Sequence, residues 1–347
     1  MNFYPLKYLT PFLLFLFAYY GLQHTGWACW LAVAYAFLMV PLLELILKPD
    51  PSNLTETQEA LALENKSYDI ILYLAVVLQY IVLWIFLKGI DDPKLQTVDI
   101  IGRTLSMGLL CGSFGINVAH ELGHRVNKFD QTLSKLLLLT SLYMHFFIEH
   151  NKGHHKEVAT PQDPSTARYR QTVFAFWPQT LLGTYRSAWK IAGEDQQKKG
   201  RKKFTLYNEM LQFQIIQVLF LTGIFFMFGM FALTCFICAA IVGILLLETV
   251  NYIEHYGLER SFTERGNYEK VQAHHSWNSN HVIGRLMLFE LSRHSDHHYK
   301  ASRKYQILRH IDTAPQMPTG YPGMILLALV PPLWFKIMHA RMNSISK

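Results

Sequence analysis

The chain has 347 residues, 51% hydrophobic and 14% aromatic, but only 16% charged, with a formal net charge of +7. A soluble domain carries about 25% charged residues, so this composition argues for extensive contact with lipid. The positive balance does not read as nucleic-acid binding: no basic groove or binding motif is present, and lysines and arginines collect in loops, as they do on the cytoplasmic side of membrane proteins.

Taken in order, the apolar runs predict an all-α, polytopic membrane protein with six transmembrane helices, since a spanning helix needs about 20 mostly apolar residues. They fall at roughly 9–23, 27–47, 69–88, 98–119, 213–229 and 231–250. Gly26, in LQHTG, separates the first two. The run 213–250 is too long for one crossing: at about 1.5 Å per residue it would reach about 57 Å, against a hydrocarbon core of about 30 Å. A turn near Gly229 divides it. SKLLLLTSLYMHFF, residues 134–147, is short and holds Lys135 and His145, so it reads as re-entrant or interfacial. So does 320–338, interrupted by Pro331 and Pro332. Cys29, Cys111, Cys235 and Cys238 all sit in apolar runs, and the 235/238 CxxC reads as packing. The basic stretch KIAGEDQQKKGRKKF, 190–204, is expected to be cytoplasmic. A single membrane-embedded domain, 1–347, then presents 120–212 and 251–347 to the cytoplasm, with the N-terminal apolar segment retained.

Nine of the sixteen histidines cluster: His120 and His124 in HELGHR, His150, His154 and His155 in EHNKGHH, His255 in NYIEHYG, and His294, His297 and His298 in LSRHSDHHYK. Residues three or four apart share a helix face. His120 with His124, and His150 with His154, are therefore each expected to reach one metal, and His294, His297 and His298 to share a face. His155, turned about 100° from His154, suits a second metal. HELGH alone matches the zinc-protease pattern HExxH, with Glu121 as base. A catalytic zinc needs three protein ligands, whereas nine imidazoles imply two ions. Imidazole suits iron, zinc and copper alike, but attack on a hydrocarbon C–H bond calls for a metal that activates dioxygen, as iron does and zinc does not. Glu121, Glu149, Glu254 and Asp296 stand beside these histidines and are candidates to orient them or to carry protons. His274, His275, His281 and Asp163 are read as structural or supporting.

HELGHR, EHNKGHHKEVATPQDPSTAR, NYIEHYGLER and LSRHSDHHYKASRKY resemble the membrane alkane monooxygenases, within the wider fatty-acid desaturase and hydroxylase superfamily. NYIEHYGL is the most discriminating piece. The resemblance implies a protein of the bacterial inner membrane whose nine histidines hold two non-haem iron ions, with O2 as co-substrate. It implies terminal hydroxylation of medium-chain alkanes, with electrons from a separate rubredoxin and its rubredoxin reductase. The hydrophobic substrate is expected to enter from membrane lipid between the spans, past aromatics such as Trp27, Trp30, Phe37 and Trp84. Arg125, Lys128, Lys152, Lys156 and the 198–203 run are candidate attractors for an acidic partner. The nearest alternatives are an alkylaromatic, xylene-type methyl monooxygenase and a fatty-acyl hydroxylase or desaturase; a membrane zinc metalloprotease is more remote.

Overall fold

The structure, a computed structural model, describes residues 4–345, so the outermost residues of the 1–347 domain lie outside the described residues. Among them the chain is helical, with only isolated bridges in place of strands. Three helices are long and apolar enough to cross a membrane: Gly26–Ile46, Ser67–Gly89 and Glu209–His255.

The breaks between helices have local causes. Gly26 adopts φ 67°, in the left-handed region that favours glycine, and its N–H donates to Asp99 Oδ1 at 2.6 Å. This starts a new helix after Leu13–Gln23. In Glu209–His255 the backbone leaves helical geometry at Gly229, with φ 83° and ψ 175°, which splits the long run where the sequence placed the turn. Lys128–Leu139 has 12 residues, about 18 Å of helix, and the chain reverses at Leu142 before Phe146–Glu149. The segment 134–147 is therefore not a span. The C-terminal stretch is likewise broken into Tyr321–Ala328 and Pro331–Ile345.

The helix Thr97–Leu110 continues through a wider π turn, Cys111–Ile116, into Asn117–Gly123. It carries Arg103 in an apolar setting because the guanidinium donates to Gly89 O at 2.9 Å and to His24 O at 2.8 Å. The main core joins this helix to Leu13–Gln23, Ser67–Gly89 and the long helix pair. A second cluster, with buried Trp277, Trp334 and Tyr252, locks the C-terminal helices against the end of Glu209–His255. Leu16, Ile70, Val77, Trp84, Phe226 and Met227 stay exposed on the apolar helices. So much apolar surface facing outward fits a lipid surround.

Candidate metal centre

His120 and His124 end the Asn117–Gly123 helix one turn apart, with their Nε2 atoms 3.1 Å from each other. The second motif behaves differently from its expected α spacing. His150–His154 form a π turn, in which backbone bonds run to the fifth residue. That wider turn aligns His150 with His155, Nε2 to Nε2 at 3.0 Å, and swings His154 away. His155 Nε2 also lies 3.1 Å from His124 Nε2 and 3.1 Å from His297 Nε2. His120, His124, His150, His155 and His297 thus form one group, and His154, His255, His294 and His298 a second. Within each group the nitrogens lie within 4.8 Å of one another.

All nine predicted histidines are brought together, but the pairing differs from the expected one twice. His150 and His154 face different groups because the π turn replaces the α turn. His297 joins the first group while His294 and His298 join the second, because the His294–Tyr299 helix lies between the two. Two His–His dipeptides, 154–155 and 297–298, therefore each give one ring to each group. The groups adjoin: the His155 and His298 ring centroids are 4.4 Å apart.

The donor set fits metal ions. Two nitrogens each about 2.1 Å from one ion and roughly at right angles lie about 3.0 Å apart, the spacing found among the first five. His155 Nε2 faces three other Nε2 atoms, and a single ring hydrogen cannot serve all three. In the second group His154 Nε2 and His298 Nε2 are buried without a hydrogen-bond partner. His154 Nδ1–H donates to Asp163 Oδ2 at 2.9 Å with both side chains buried, which leaves the Nε2 lone pair facing inward. A cation satisfies these lone pairs where no protein donor does.

Burial, reinforced by neighbouring imidazoles, holds His150, His155, His294, His297 and His298 well below the usual histidine range and takes His124 to about 3. These rings stay neutral, the form that binds metal. His154 is the exception: burial lowers it, but the Asp163 carboxylate more than offsets that and raises it. Burial raises Asp163 in turn, and His154 brings it below its ordinary value.

The sequence profile of the fatty acid desaturase family matches residues 100–328, a stretch that contains all nine histidines. The chain is 39% identical to alkane 1-monooxygenase 2 of Pseudomonas aeruginosa over 317 residues, covering 91% of this chain and 84% of that protein. It is 40% identical to alkane 1-monooxygenase of Acinetobacter baylyi over 305 residues, 88% of this chain and 74% of the relative. The chain belongs to the alkane monooxygenase family. A xylene/toluene monooxygenase hydroxylase component of Pseudomonas putida stands further off, at 29% over 322 residues, 92% of this chain and 83% of that one.

In this alkane monooxygenase family member the four carboxylates beside the histidines have different surroundings. Glu254 Oε1 lies 3.2 Å from His294 Nδ1 and accepts from the Tyr321 hydroxyl at 2.7 Å. Glu149 is buried beside the π turn with Oε1 unpartnered, and burial, then Asp163, pushes its carboxyl up to about 8. Glu121 accepts from Arg125 at 3.1 Å, and Asp296 from Arg303 at 2.5 Å and from the Arg309 N–H at 2.8 Å. Glu121 is thus engaged in an ion pair, unlike the free base a zinc protease needs. Asp163, read from sequence only as supporting, touches a candidate ligand directly. Tyr321 carried no signal beyond its place in TGYPGM.

His274 and His275 approach Glu269 in a third grouping. His275 Nδ1 accepts from the Gln272 N–H at 2.9 Å, so its hydrogen sits on Nε2, 3.4 Å from Glu269 Oε1. That tautomer has no lone pair free for a metal, and His275 is structural. His281 Nδ1 pairs with Ser279 Oγ at 3.1 Å, outside both groups.

An apolar cavity is lined by Phe37, Leu109, Leu247, Met287, Tyr321 and Ile325 among others; none of the nine histidines lines it, but its wall includes Asn117 and Leu291, three residues before His120 and His294, and Tyr321, which bonds Glu254. Of the four aromatics considered for a substrate path, only Phe37 reaches it. Trp27 is 90% exposed, Trp30 packs beside Gly102, and Trp84 lies edge-on to Phe228. Arg125 is no free attractor: it is buried among Asp69, Glu121 and Asp130. Lys152 and Lys156 pair with Asp195 and Glu157.

Proposed function

We propose that this protein is a membrane non-haem diiron monooxygenase that hydroxylates the terminal methyl of medium-chain alkanes to primary alcohols, using O2 and electrons from a rubredoxin. The observation that carries the reading is the pair of adjoining, buried imidazole groups of five and four nitrogens, with an apolar cavity whose wall includes residues three before His120 and His294. The names and identities of the relatives support the alkane over the alkylaromatic substrate.

His120, His124, His150, His155 and His297 hold one iron, and His154, His255, His294 and His298 the other. The iron pair supplies the dioxygen activation that no protein side chain provides. The chain's own residues position and exclude. The cavity wall holds the alkane extended and dry, drawing it from lipid, where each CH2 already prefers to be by about 0.8 kcal/mol. Asp163 orients His154 through Nδ1, and Glu254, steadied by the Tyr321 hydroxyl, stands 3.2 Å from His294 Nδ1, near enough to take its proton when the ring turns to a ligand. Burial keeps the remaining rings neutral.

Six crossings belong to this reading: the three long apolar helices and the non-helical break at Gly229 support it, with Leu13–Gln23 and the continuous 97–123 segment taken as the remaining spans. The exposed basic run 198–203 supports placing the histidines on the cytoplasmic face of the inner membrane. The CxxC at 235/238 lies in a helix, and rubredoxin-type iron needs four cysteines in two such pairs, so this pair is not the electron donor; the reading assigns that part to a rubredoxin.

Cells expressing the chain, fed a mixture of octane, xylene and fatty acids under 18O2, test the reading. Octan-1-ol carrying one labelled oxygen is expected. Products from xylene or acyl chains alone would replace the alkane assignment with one of its alternatives.

A further inference from the structure

We infer that Asn117 receives the hydroxyl group of the product alcohol, making the cavity a site that binds product more tightly than substrate. The inference rests on the alkane-hydroxylase reading above.

Asn117 lines the apolar cavity and is only 6% exposed, yet neither its Nδ2 nor its Oδ1 has a hydrogen-bond partner. A buried amide left unpartnered on both sides is costly, and a leucine of similar size would line the same wall without that cost. The neighbouring wall gives it nothing to bind: Phe37, Leu247, Met287 and Ile325 are apolar, and the Tyr321 hydroxyl is already given to Glu254 at 2.7 Å. Ser113, one turn earlier, is only partly buried.

Position supplies the rest. Asn117 precedes His120 by three residues in the Asn117–Gly123 helix, so the two side chains leave the same helix face. The amide, which lines the cavity, therefore starts about 5–6 Å from the His120 Cβ and is the cavity's polar side chain on the face that carries the first imidazole group. A terminal methyl offers no hydrogen bond there. The hydroxyl of a primary alcohol offers both a donor, for Oδ1, and an acceptor, for Nδ2. Its oxygen is introduced at the chain end that lies nearest the histidines. The polar pair thus forms only after reaction, and it governs how readily the alcohol leaves.

The test is competitive inhibition of octane hydroxylation by octan-1-ol in membranes holding the full chain, comparing wild type with Asn117→Leu. The ratio of the octan-1-ol Ki to the octane KM is expected to rise about tenfold in the variant, the worth of one or two hydrogen bonds made out of water. A ratio within twofold of wild type overturns the inference. Should Asn117→Leu fail to accumulate, Asn117→Ser and Asn117→Ala carry the same comparison. The Ala variant must show the raised ratio and the Ser variant, which keeps a hydroxyl, must recover part of the wild-type value; equal ratios overturn the inference. A wild-type protein that does not oxidise octane at all would instead remove the function on which the proposal stands.

Discussion

Asp163 Oδ2 accepts a hydrogen bond from His154 Nδ1 at 2.9 Å, and both side chains are buried from solvent. The contact fixes which nitrogen of His154 keeps its lone pair for the second group. Asp163→Asn keeps the shape but reverses or weakens the bond. We expect metal retention at the second group to fall by about 10- to 100-fold, read as iron per chain after dialysis against a chelator. Unchanged iron would show that Asp163 does not orient the ligand.

The loop before the fourth histidine motif depends on one carboxylate. Glu290, buried and at φ 60°, accepts from the Tyr8 hydroxyl at 2.8 Å and lies 3.0 Å from Arg285 and 3.8 Å from Arg293. Glu290→Ala leaves two buried guanidinium groups without it. Arg285 keeps Asp50 at 3.2 Å and Arg293 keeps the Leu308 and Ser52 carbonyls at 2.7 Å, so a loss of about 1–3 kcal/mol is expected, seen as a lowered thermal midpoint in detergent. Iron loss should accompany it, since His294 follows four residues later.

Acid should act through unfolding. The folded-state pKa values of His150, His155, His294, His297 and His298 lie well below the usual value, and that of His124 near 3, chiefly through burial. The unfolded chain takes up these protons near pH 6.5. Above that pH the shifts cost nothing; as pH falls below it, the unfolded state binds protons the folded state refuses, and stability drops. In metal-stripped protein the thermal midpoint should fall progressively between about pH 6.5 and pH 4. A midpoint independent of pH over that window would contradict the burial of these rings.

Much of this was legible in the sequence. The helical class, the breaks at Gly26 and Gly229 and the nine histidines follow from apolar runs, glycine conformation and local crowding of imidazoles. The division into groups does not, because a helix read at 3.6 residues per turn pairs His150 with His154. The π turn at 150–154 pairs His150 with His155 instead, and nothing in the local composition announces it. Arg125 looked available for a partner since its ion pair with Asp69, 56 residues away, is invisible along the chain. Asn117 drew no attention because one asparagine at the end of an apolar run carries no motif; its meaning lies in what fails to contact it.

The cavity wall offers a steric prediction. Phe37 reaches it from the Gly26–Ile46 helix. Phe37→Ala opens room along the chain path, and the preferred alkane should lengthen. Competition between octane and dodecane, scored by product mass spectrometry, measures the change. An unaltered product ratio would place Phe37 outside the substrate path.

Metal content tests the central claim most directly. The purified protein, reconstituted anaerobically with ferrous iron, should hold two irons per chain, with Mössbauer spectra of two histidine-rich sites. His255→Ala should keep the first iron and lose the second. One tightly bound zinc per chain, or a single iron untouched by His255→Ala, would contradict the assignment of two adjoining iron sites.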